Sequence, residues 1–80
     1  APGEIERDAE SVLRIVREET GQAPRSLRFL ETDEGLVVFL TLGLDPRSDL
    51  VQAHATASAI EERIRREQPD IAEVHVHTEP

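Results

Sequence analysis

Residues 36–54 read LVVFLTLGLDPRSDLVQAH. The first nine, 36–44, are apolar nearly throughout. That predicts a strand buried on both faces, or one whose second face meets a partner. Asp45-Pro46-Arg47-Ser48-Asp49 breaks the strand and opens a helix, with Ser48 or Asp49 as its cap. Over residues 49–67 the stripe Leu50, Ala53, Ala57, Ile60, Ile64 recurs at helical spacing. The alanines at 53, 55, 57 and 59 let this helix lie close to a sheet. Gln68-Pro69-Asp70 ends it.

Working outward, residues 26–32, SLRFLET, form a strand with Leu27 and Phe29 on one face and Leu30 out of register. Thr32-Asp33-Glu34-Gly35 is a turn, with glycine where a positive φ is cheap, so the two strands make a hairpin. Residues 4–20 form a helix on Ile5, Ala9, Val12 and Val16, widened by Leu13 and Ile15. Glu4, Glu6 and Asp8 suit its positive end, and Gly21 stops it. Residues 72–78 form a last strand: Val74 and Val76 point one way, His75, His77 and Glu79 the other. The order is α-β-β-α-β. It predicts an α+β, two-layer sandwich with a three-stranded sheet and two helices on one face.

Eighty residues, with about twenty Ile, Leu, Val and Phe, make one domain. Residues 1–3 are expected to be a disordered or appended start. The chain lacks methionine and opens Ala1-Pro2-Gly3, which reads as one domain of a longer protein. There is no cysteine, hence no disulfide and no thiolate site. Nine basic residues, all arginine, face seventeen acidic ones. A net charge of -8 argues against nucleic acid and against an anionic membrane surface, and is at home with cations or with simple solubility. No apolar run is long enough to insert in a membrane.

The sequence holds no cysteine nucleophile, no Gly-x-Ser-x-Gly elbow and no phosphate loop, and so reads as no enzyme. Its chemistry lies in three histidines. Imidazole and carboxylate suit zinc and its neighbours. His77 and Glu79 share a strand face and can close on one ion, and His75 shares that face. If the start of the second helix meets the end of the last strand, His54 joins them. Asp45 and Asp49 are then extra oxygens. A His-x-His on a strand also reads as plain exposed polarity, and a helix-start histidine as a structural donor. The residues alone leave both open.

Three blocks, LVQAH (50–54), AIEERI (59–64) and VHVHTEP (74–80), resemble the cytoplasmic C-terminal domain of cation diffusion facilitator transporters. The pattern is an Ala-His pair opening a helix, an Ile-Glu pair further along it, and a closing His-x-Glu/Asp-Pro. Residues 48–80 match closely and residues 4–47 in element order only. The resemblance implies a ferredoxin-like, metallochaperone-like fold that homodimerises beneath a membrane domain, at the cytoplasmic face of a membrane. It implies that Zn²⁺ or a related divalent metal binds between protomers and tightens the dimer, with no chemistry performed. The residues carried over are His54, His77 and Glu79, with His75 as an extra.

Where zinc-transporting relatives place further histidines, this chain has Arg25 and Thr41. The resemblance therefore implies one site rather than a cluster, with Arg25 standing as a fixed positive charge in the absent ion's place. The alternatives are a dimerisation or protein-interaction module with a degenerate metal site, and a free-standing metal buffer.

Overall fold

The computed structural model describes residues 2–80, with side chains from Ile5 onward. Ala1 and the side chain of Glu4 lie outside the described residues. The elements are α1 (Pro2–Thr20), β1 (Ser26–Thr32), β2 (Gly35–Gly43), α2 (Leu50–Glu67) and β3 (Ile71–Glu79). α1 begins ahead of the expected residue 4 and takes in Pro2 and Gly3; proline suits a first helical position. Gly21, at φ 78°, donates its N–H to the Arg17 carbonyl and closes the helix.

β2 is the central strand, antiparallel to β1 and parallel to β3. The two-residue turn between β1 and β2 is held by Thr32, whose Oγ1 accepts from the Glu34 N–H and donates to the Gly35 carbonyl. Gly35 sits at φ 129°, a conformation closed to other L-residues.

Cross-strand rows decide which side of the sheet is covered. Leu27, Leu40 and Val76 lie opposite one another, as do Phe29, Val38 and Val74. Both rows pack with Val12, Ile15 and Val16 of α1 and Ile60 and Ile64 of α2. Both helices therefore cover one face. Burying each such side chain stabilises by about 1.5–3 kcal/mol.

Strict alternation would put Ile71 and Val74 on opposite faces, yet both are core residues. The register shifts between Leu36 and Val37, so that Ala72 falls without a partner. This bulge turns both side chains inward and brings the odd residues of β3 beside the odd residues of β2. Among the described residues no helix is long and apolar enough to cross a membrane.

Candidate metal centre

The helix-free face carries three rows: Leu30–Val37–Glu73, Arg28–Phe39–His75 and Ser26–Thr41–His77, with Gly43 opposite Glu79 beyond them. Glu73, His75, His77 and Glu79 thus line one side of β3, with the alternation the sequence predicts. His77 Nε2 stands 3.6 Å from Glu79 Oε2. Two ligands bound at 2.0–2.2 Å on a tetrahedral ion lie about 3.3–3.6 Å apart, so this pair has the spacing of one edge of such a site.

His75 is engaged elsewhere. Its ring stacks on Phe39, centroids 5.1 Å apart and planes 12° apart, while Arg28 covers Phe39 with Cζ 5.6 Å from the ring centroid. His75 Nε2 lies 3.9 Å from Glu73 Oε1. The ring is held one row away from the His77–Glu79 pair.

The start of α2 does meet the end of β3. Asp49 caps the helix, its side chain accepting from the Gln52 N–H at 2.8 Å. A cleft there is lined by Leu44, Asp49 and Ala53 on one side and Thr78, Glu79 and Pro80 on the other. The inward residue is Ala53, however. His54 follows about 100° further round the helix. It is exposed, and its Nε2 lies 3.5 Å from Ser58 Oγ. The imidazoles of β3 face away from both helices. Within one chain, His54 consequently does not join His77 and Glu79. Among the described residues no three His, Cys, Asp or Glu side chains gather to hold one ion.

The two extra oxygens are also committed. Asp45 accepts from the Arg47 side chain and backbone N–H, in that order of weight, and both hold its carboxyl below the usual range. Asp49 is the helix cap.

Two features run against the sequence pattern or beyond it. Leu50, counted in the core stripe of α2, is 88% exposed, and Val51 77%; the half-buried side of the helix start is carried instead by Ala53, Thr56 and Ala57. Arg25, just ahead of β1, spans the sheet to β3: its Nη1 lies 3.2 Å from Glu79 Oε1 and its Nη2 donates to the Pro80 main-chain oxygen at 3.0 Å. The sequence singled out Arg25 as a fixed charge. Nothing in a local pattern pairs it with Glu79, 54 residues away.

No curated relative matches the chain by sequence. Solved structures do match its fold. A single-substitution variant of the MamM CTD, its copper form with another substitution, and a cadmium form with a third each superpose with a TM-score of 0.84. Each is 20% identical, over 94% of this chain and 95% of that one. The family model described as "cation efflux protein, cytoplasmic domain" matches residues 2–80. That match spans the whole of the fold described above, and the chain belongs to the family of cation efflux protein cytoplasmic domains.

Proposed function

We propose that this domain is the regulatory, homodimerising part of a divalent-metal efflux transporter, acting beneath that transporter's membrane domain. It binds Zn²⁺ or a similar divalent cation between protomers, and binding tightens the dimer. It carries out no catalysis.

The observation that carries this reading is a site presented in two halves. His77 and Glu79 stand at ligand spacing on the bare sheet face. His54 stands exposed on another layer, beside the exposed Leu50 and Val51. Donors that cannot close within one chain can close between two, and the apolar first turn of α2 supplies surface for the contact. With a net charge of -8 each, metal-free protomers repel. An ion at the contact neutralises part of that charge, and only its preference for the closed dimer shifts the equilibrium. Copper and cadmium forms of the similar MamM CTD are in keeping with a divalent ion.

A mixing experiment tests the reading. Zinc is titrated into the protein, into His54→Ala, into His77→Ala, and into an equal mixture of the two variants, with mass followed by sedimentation. Zinc-driven dimerisation is expected in the parent, is lost in each variant, and returns in part in the mixture, where one intact site per mixed dimer remains. If the mixture stays as silent as its components, the site is not shared between protomers.

A second reading, a dimerisation module without a working metal site, draws on Arg25, which already supplies a cation to Glu79.

A further inference from the structure

Glu79 divides its two oxygens. Oε2 faces His77 Nε2 at 3.6 Å, while Oε1 faces Arg25 Nη1 at 3.2 Å. The guanidinium is further fixed by the Pro80 main-chain oxygen. To reach β3 from β1 it must cross the central strand, and it does so over Gly43. A Cβ at that position would stand 2.5 Å from Arg25 Nε and 2.9 Å from its Cζ and Nη2. The central strand is therefore bare at the one point the arginine crosses.

We infer that Arg25 is a tethered cation that competes with the divalent metal for Glu79 and so sets the metal concentration at which the domain responds. This rests on the reading of His77 and Glu79 as metal ligands. An ion held by His77 Nε2 and Glu79 Oε2 lies within a few ångströms of a guanidinium on the same carboxylate. Like charges at that distance repel, so the ion must push the arginine aside or bind beside it. Both side chains are about half exposed, at 50% and 45%. Water screens such a pair, and its strength is modest. Arg25 is accordingly an adjustable threshold and not a block.

Calorimetric titration of zinc at neutral pH into the parent chain, Arg25→Gln and Gly43→Ala tests this. Arg25→Gln removes the charge. Gly43→Ala keeps the charge but places a methyl where the guanidinium lies. Both variants are expected to bind zinc about three- to tenfold more tightly than the parent. In a Glu79→Gln background the Arg25→Gln change should have no effect. Equal or weaker binding by Arg25→Gln, in a parent that binds zinc, overturns the competition and leaves the metal-binding reading standing. Parent-like binding by Gly43→Ala overturns the placement over Gly43 and the proposal with it. Silence in the parent and in Arg25→Gln alike overturns both this inference and the metal-binding reading.

Discussion

His75 lies flat against Phe39 across the parallel β2–β3 pair, with ring centroids 5.1 Å apart. The row continues to Arg28 on the far side of Phe39. His75→Ala removes the stack and is expected to cost about 0.5–1 kcal/mol, the usual worth of a cross-strand aromatic contact. Chemical denaturation reads that loss. Zinc titration of the same variant should show affinity close to the parent, in contrast to His77→Ala. A His75→Ala protein that loses zinc as completely as His77→Ala would make His75 a ligand instead of a packing residue.

Arg63 ties the two helices together. It donates to Glu67 at 2.7 Å and to Glu19 at 3.0 Å, and is also paired with Glu18; Arg14 reaches Glu67 at 3.2 Å. The Arg63 hydrogen bond, and then that of Arg14, hold the Glu67 carboxyl below its ordinary 4.5. A carboxylate depressed in the folded state stabilises fully above its unfolded pKa and loses that contribution as pH falls through and below about 4.5. Melting temperature should therefore drop between pH 5 and pH 3 in the parent. In Arg63→Gln it should start a few degrees lower at pH 7 in low salt and fall less over that range. Parallel pH profiles for the two proteins would dismiss the clasp.

Asp49, and not Ser48, is the cap of α2. Asp49→Ala leaves the Gln52 N–H without its acceptor and should cost about 1 kcal/mol, whereas Asp49→Ser should cost only a few tenths. Urea unfolding of both variants measures the difference, and equal losses would mean the side chain acts through something other than capping.

Leu50 and Val51 offer the test of the dimer surface. Leu50→Asp is expected to weaken zinc-driven dimerisation about tenfold or more, since a charge replaces an apolar contact. Its monomer should melt like the parent because Leu50 is 88% exposed. Undiminished association in sedimentation would move the interface elsewhere.

The periodic signals carried the fold. Leu27 and Phe29, and Ile60 and Ile64, announced which residues turn inward, the apolar run of β2 announced a strand without saying which of its faces the helices cover, and the Thr32–Gly35 turn announced the hairpin. Each is a local rule acting over a few residues. Leu30 was legible as the odd residue of its strand, and it sits on the helix-free face opposite Val37. The candidate site was legible only in its His77–Glu79 half, where alternation along one strand places the donors. The relation of His54 to them depends on the rotation of α2 and on which sheet face the helices cover, and neither is written in a local pattern. Gly43 carries no signal of its own within the apolar run of β2. Its meaning appears only with the arginine that lies across it.

The parallel pairing of β3 has a kinetic side. β1 and β2 meet through a two-residue turn, so their pairing closes almost no loop. Among the described residues β3 pairs with β2 alone, and it reaches that strand only after residues 44–70 have folded back over the sheet. Loop closure must be completed before those contacts are rewarded, which places the docking of β3 late in the order of assembly. The strand bearing His77 and Glu79 thus finds its place after the hairpin has formed, and an ion or arginine that holds it there acts on a step that closes about 35 residues of chain.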